Sequence, residues 1–247
     1  MEQGRGLPSD STDKHPHRVV EGNIARRGGE MIVPPVLHLD KEKHIYSVDG
    51  AIIPGTTTVL GEWIKCRYWG EDVYVHALSG VIISGRIMRE AAAIGTAIHE
   101  GMYYLLTGQG LDWSTLHPSL LRPLREGERW IEEYKPQVIL CEKPLYSTRF
   151  RYAGTPDIYC TIRGLKRGHT ALIDIKSGMW EMVAEQLGAY EQLIREDLGV
   201  KGFIDHFMLS LHKTGKPYEF LRISRPDAFQ YFLTKLQQYN YQLKYAA

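Results

Sequence analysis

Apolar residues recur along this chain with two different periods, and the switches between them mark out its elements. Residues 169–176, His-Thr-Ala-Leu-Ile-Asp-Ile-Lys, read as a β-strand. Residues 150–162 read as a second strand, joined to the first by a short basic turn, Arg163-Gly164-Leu165-Lys166-Arg167-Gly168. Side chains alternate faces along a strand, so Asp174 and Lys176 project to one side while Ile173 and Ile175 face the other. Pairing of these strands would bring Asp157 beside Asp174 at one end of a sheet.

The same reading extends outward in both directions. Residues 44–48 and 51–54 flank Asp49-Gly50, a dipeptide suited to the positive φ angles of a type I′ turn, and predict a hairpin. A short helix is expected over 56–64 with Thr56 as its N-cap. Residues 87–106 carry Ile94, Ile98, Met102 and Leu105 near one helical face, and Gly108 is a natural stop. Gly95, inside that helix, suggests close packing against a strand. A second helix over 118–134 presents Leu120, Leu121, Leu124, Trp130, Ile131 and Tyr134 to a core. Residues 137–147 then read as a strand containing Glu142. A helix over 181–197 is closed by Gly199; strands follow at 203–211 and 217–223, turning at 213–216. A final helix over 225–245 points Phe229, Phe232, Leu233 and Leu236 inward. This alternation predicts an α/β sandwich with a mixed central β-sheet flanked by helices.

Composition narrows the class. The 247 residues suit one domain with a sizeable core, and 43% hydrophobic with 24% charged residues are values of a soluble globular protein. Residues 1–30, rich in Gly, Pro, Ser and His without apolar periodicity, are expected to be a disordered tail before a single domain over 31–247. No apolar run is long enough to span a bilayer, and no leader pattern is evident, so a cytoplasmic protein without a membrane partner is expected. The three cysteines, Cys66, Cys141 and Cys160, lack any CxxC spacing, which argues against a zinc or disulfide framework.

A net charge of +1 says little about partners, but its distribution says more. From Lys143 to Arg167 six basic residues (Lys143, Arg149, Arg151, Arg163, Lys166, Arg167) stand against the single acid Asp157, interleaved with Tyr146, Phe150, Tyr152 and Tyr159. Basic groups pair with phosphates and aromatic faces stack on bases; the same pattern also describes an ordinary solvated hairpin. Asp157 and Asp174 converging with Lys176 suits a divalent cation, or equally a solvated strand face with an Asp–Lys pair. His99, one turn beyond Gly95, is either a metal ligand or a satisfied helix histidine. Glu100, about 100° round the helix, and Glu142 on its strand are fallback ligands. Gln186 and Tyr190 share a helix face, as site residues or as rim and core.

Taken together, Gly154-Thr-Pro-Asp157, Asp174-Ile-Lys176 and Gln186-x-x-x-Tyr190, preceded by Gly95-Thr-Ala-Ile-His99, resemble the PD-(D/E)XK nuclease superfamily. The match is to its RecB-like branch, which includes phage exonucleases, and covers roughly residues 44–223. The resemblance implies a deoxyribonuclease with DNA as substrate, acting in recombination, repair or phage DNA metabolism. It implies a restriction-endonuclease-like sandwich in which Asp157, Asp174 and Lys176 are catalytic. Metal ligation would fall to His99, Asp157, Asp174 and the backbone carbonyl of Ile175. Gln186 and Tyr190 would contact the site or the DNA backbone. Arg149, Arg151, Lys166 and Arg167 are the DNA-binding candidates from the basic hairpin. Mg²⁺ is the expected cation, with Mn²⁺ substituting because imidazole suits a transition metal. A recombination or single-strand-binding protein is a candidate partner; the pattern says nothing of oligomeric state or polarity of digestion. Two alternatives stay open, a nuclease-like module that holds DNA without cutting it and a metal-dependent hydrolase of small phosphorylated substrates. No appended base-reading element is apparent, so ends or flaps are expected as substrates in preference to a particular duplex sequence.

Overall fold

The structure is a computed structural model that describes residues 25–27, 30–32, 35–61, 63–68, 71–76, 82–178, 181–214 and 216–245. The expected tail over 1–30 lies mostly outside the described residues. In chain order the elements begin with a small hairpin, β1 (Ala25–Arg27) and β2 (Glu30–Ile32). A meander follows, β3 (Leu37–Asp40), β4 (Ile45–Val48) and β5 (Ala51–Ile53), then α1 (Thr56–Leu60). Asp49 (φ 49°) and Gly50 (φ 81°) make the turn that the Asp-Gly pair predicts. Helix α1 is shorter than expected. Its N-cap is Gly55, because the Thr56 hydroxyl donates instead to the Ala153 carbonyl; Gly61, left-handed at φ 49°, ends it.

A second antiparallel meander, β6 (Trp63–Tyr68), β7 (Glu71–His76) and β8 (Ile82–Ser84), leads into α2 (Gly85–Thr107). The Ser84 hydroxyl caps α2 by accepting from the Ile87 amide, and Gly108 closes it at φ 69°. Next come α3 (Pro118–Tyr134), β9 (Gln137–Cys141), β10 (Leu145–Ser147), β11 (Tyr152–Gly154), β12 (Ile158–Thr161) and β13 (His169–Lys176). The chain closes with α4 (Val183–Leu198), β14 (Phe203–Ser210), β15 (Glu219–Ile223) and α5 (Ala228–Tyr245).

Five strands form the central sheet in the order β15-β14-β13-β12-β9. β13 and β14 run parallel, with α4 as their crossover, and the other pairs are antiparallel, so the sheet is mixed as the alternation predicts. Helices cover both faces. Ala171, Ile173 and Ile175 of β13 pack with Ile98, Met102, Leu124 and Trp130 of α2 and α3. Leu172 and Tyr159 face the other way, onto Leu187, Tyr190, Leu193 and Phe232 of α4 and α5. Alternation therefore assigns β13 residues to two separate cores, and Asp174 and Lys176 fall on the α4 side.

The tightest helix contacts occur where side chains are absent. A Cβ on Gly101 would stand 2.6 Å from Leu124, and one on Gly127 2.2 Å from the Met102 sulfur. These glycines set how closely α2 and α3 approach. Gly95 was expected to do this against a strand; a Cβ there would meet only Ser177 Oγ at an ordinary 3.6 Å. Leu121, expected in the core, is 38% exposed at the outer edge of α3.

Candidate functional site

One end of the β12–β13 pair gathers the ionisable groups. The register Ile158↔Ile173 carries Asp157 to the level of Asp174, just past the last paired residues. Asp157 is buried, and its Oδ2 accepts a 2.6 Å hydrogen bond from the Ile175 amide. A strand residue turns its N–H and C=O toward the same neighbour, so the Ile175 carbonyl also faces the Asp157 side, where β12 has ended.

His99 reaches this end from α2. Its Nδ1 lies 3.1 Å from Glu142 Oε1 and 3.4 Å from Asp157 Oδ1. Glu142 arrives because the expected strand over 137–147 is broken there. The residue takes up φ 49°, and its amide donates to the carbonyls of Pro156 and Asp157. That left-handed kink separates β9 from β10 and swings the carboxylate toward His99. One donor atom each from His99, Glu142 and Asp157 lie within 4.8 Å of one another. His99 and Glu142 keep 29% and 28% of their side-chain surface open, against 6% for Asp157, so the trio is reached from solvent on one side.

Beside it, Lys176 Nζ lies 2.6 Å from Asp174 Oδ2 and donates to Gln186 Oε1 at 3.2 Å. Gln186 in turn donates through Nε2 to the Tyr190 hydroxyl at 2.9 Å. The four-residue spacing on α4 thus places an amide and a phenol in series behind the lysine. Asp174 has no exposed surface, and its Oδ1 finds no hydrogen-bond partner among the described residues. An uncompensated buried carboxylate oxygen is costly and points to a ligand.

The titration behaviour follows from this crowding. Burial, set against the Lys176 charge and reinforced by Asp157, pushes Asp174 up to about 6. Burial also raises Glu142. Burial opposes a charged His99, but the carboxylates of Asp157 and Glu142 overcome it and lift the imidazole well above 6.5. Asp157 moves the other way: burial is outweighed by His99, Lys176 and the Ile175 amide, which lower it. To bind a divalent cation the imidazole would have to give up its proton, so protons and metal compete for this trio.

The residues present fit such a cation. Two carboxylate oxygens and one imidazole nitrogen would hold it, a donor set better suited to Mn²⁺ than to Mg²⁺ because of the nitrogen. The structure thus brings Glu142, a fallback in the sequence reading, into the trio with His99 and Asp157, and places Asp174 next to it on the lysine. Glu100 points elsewhere: it is exposed and accepts from Tyr104.

The turn of the basic hairpin lies away from the site. Lys166 and Arg167 sit in the exposed turn at the opposite end of β12 and β13. Five residues from Asp174 to His169, at about 3.3 Å each, put that turn roughly 17 Å or more from the carboxylates. Three of the four interleaved aromatics are held in the protein's own packing. Tyr152 has no exposed surface and donates to the Ala189 carbonyl, Tyr159 is buried, and Phe150 packs edge-on against Phe229. Arg149 and Arg151 are exposed in the β10–β11 turn, Arg149 lying 5.0 Å over the Phe150 ring. Sequence reasoning missed Tyr46 and Thr155, whose hydroxyls meet beside the site at 2.8 Å from positions far apart in the chain.

No protein-family model matches the chain, and neither does any curated protein. Among solved structures it is similar to a "putative exonuclease" from Eubacterium rectale, with 10% sequence identity and a TM-score of 0.39. That match covers 62% of this chain and 65% of the other, so the chain spans less than two thirds of that protein's length. No helix among the described residues is long and apolar enough to cross a membrane.

Proposed function

We propose that this chain is a metal-dependent deoxyribonuclease that processes DNA ends or flaps, as the motif resemblance implies. The observation that carries the reading is the convergence of His99, Glu142 and Asp157 next to the Asp174–Lys176 pair at one open end of the sheet. A structural ion-pair network would not need an orphaned carboxylate oxygen beside an acid-rich trio.

A divalent cation held by His99, Glu142 and Asp157, with Asp174 and the Ile175 carbonyl adjacent, would supply Lewis-acid neutralisation of phosphate charge and a more acidic bound water. The chain's own residues do the positioning. The Ile175 amide fixes Asp157. Gln186, aimed by Tyr190, and Asp174 hold the Lys176 ammonium beside the carboxylates, where it can pair with a phosphate oxygen or orient the attacking water.

The test compares linear DNA with the same molecule as an intact covalently closed circle, each with Mg²⁺, with Mn²⁺ and with a chelator. Loss of the linear form alone, from its ends and only with metal, is the expected result. Cutting of the circle into discrete sequence-defined fragments would overturn the end-processing part, and no cleavage of either form would overturn the enzyme.

A further inference from the structure

The segment that delivers Asp157 is gripped from the N-terminal meander and α1. The Ala153 amide donates to the Pro54 carbonyl, the Thr56 hydroxyl donates to the Ala153 carbonyl, and Gly55 bridges to Ala153. A Cβ on Gly55 would stand 3.0 Å from the Tyr46 ring, and one on Gly154 only 2.6 Å from Thr56 Oγ1 and from Tyr190. Residues 153–157 therefore lie clamped between β4, α1 and α4. The clamp places Thr155 Oγ1 2.8 Å from the Tyr46 hydroxyl.

The direction of that hydrogen bond follows from burial. Tyr46 is 2% exposed, and a buried phenol O–H needs an acceptor; among the described residues Thr155 Oγ1 is the oxygen it meets. Burial pushes the phenol up to about 12, with the charges of Glu142 and Asp157 adding to it against the Thr155 hydrogen bond, so Tyr46 keeps its proton. Thr155 is half-buried, two residues before Asp157, and keeps its own hydroxyl proton to give outward. A neutral O–H donor suits a rim lined by carboxylates, because it can meet an anionic oxygen without competing with a cation for them.

We propose that Thr155 contacts substrate at this site, donating its hydroxyl proton to a phosphate oxygen of the nucleic acid, and that Tyr46 is the positioning residue that aims it. The proposal rests on the nuclease reading above. It makes the N-terminal meander part of the active centre.

The experiment uses the full chain and its Thr155→Val, Thr155→Ser, Tyr46→Phe and Tyr46→Phe/Thr155→Val variants, with a fluorescent single-stranded oligonucleotide. Cleavage is measured in Mn²⁺, oligonucleotide binding by anisotropy in Ca²⁺, and Mn²⁺ binding alone by calorimetry. Thr155→Val is expected to lose about tenfold to a hundredfold in kcat/KM, the range for a lost hydrogen bond to a charged group, with Mn²⁺ binding changed less than about twofold. Thr155→Ser should restore most of the loss, and the double variant should be no worse than Thr155→Val alone. A Thr155→Val protein that cleaves and binds like the wild type, a serine variant as impaired as the valine, or fully additive losses would each overturn the proposal. If the wild type binds the oligonucleotide but never cleaves it, the hydrolytic reading fails alone, and the anisotropy series still decides Thr155. A wild type that does not bind overturns both.

Discussion

The β12–β13 hairpin has two ends of opposite character. At one, Asp157, Asp174 and Lys176 are largely withdrawn from water, and burial and the neighbouring charges shift the two carboxylates in opposite directions. At the other, Arg163, Lys166 and Arg167 stand in solvent around Gly164 and Gly168, whose φ angles of 90° and 81° make the turn. Both ends carry charge within one short stretch of chain, and strand length alone separates them. Charge density along a sequence thus says little about a site; burial and convergence decide which charges act together. The buried end is also the one that strands, helices and the N-terminal meander all reach.

The sharpest way to break this comparison is to neutralise the buried end. Asp174→Asn keeps the shape of the side chain but removes its charge, and cleavage should fall by about a thousandfold, equivalent to several kcal/mol of lost charge stabilisation. Near-normal turnover with a folded protein would remove the central claim. Lys176→Ala should cost about a hundredfold in turnover while Mn²⁺ binding by calorimetry stays within about twofold, since the lysine would orient and the carboxylates hold. Equal loss of both would merge the two roles.

His99→Ala is expected to raise the Mn²⁺ needed for half-saturation by about tenfold, by removing one of three donors. An unchanged titration would return His99 to a structural role. The same residue sets a pH dependence whose sign can be worked out. Its folded pKa lies above the 6.5 of the unfolded chain, so its contribution to metal-free stability is complete below 6.5 and is lost as pH rises through the raised value. Asp174, raised to about 6, likewise favours the metal-free fold below 3.8 and ceases to as pH rises through about 6. Asp157, lowered, contributes in the opposite sense: its stabilisation is present above 3.8 and lost as pH falls through its depressed value. Mn²⁺ binding should therefore tighten with rising pH and release protons, which calorimetry in buffers of different ionisation enthalpy measures directly. Affinity independent of pH between 6 and 8 would contradict the geometry of the trio.

The smallest effect is expected at the exposed end. Lys166→Ala with Arg167→Ala should leave turnover within about twofold and stability within about 0.5 kcal/mol, as for surface changes remote from any network. A tenfold loss of DNA binding, or a shallower salt dependence, would show that the substrate reaches the turn after all.

Much of the scaffold was legible from pattern. Helix α3 and strand β13 fall on the ranges read from periodicity, and α2, α4 and β14 differ only at their ends, because long amphipathic or alternating runs state their own period. Trp63 and Ile64, expected at the end of a helix, open strand β6, the rest of β6–β8 was not read, and the strand expected over 137–147 is two strands, since short pairings depend on partners more than on propensity. Leu121 and Gly95 were misplaced for a related reason: periodicity tells which residues share a face, not how near the neighbouring element comes.

For the site, local spacing was enough for what lies within one element. Asp174 and Lys176 share a strand face, and Gln186 and Tyr190 a helix face, because strand and helix periods are fixed by backbone geometry. Which groups then meet was decided only by tertiary structure. Glu142 joins His99 and Asp157 through a left-handed residue that no period announces, and Tyr46 finds Thr155 across 109 positions of chain. Sequence by itself determined the elements and the chemistry each could offer. The packed sheet decided the grouping, since donor atoms converge only where strands of particular length end together and the helices above them are held at a particular distance.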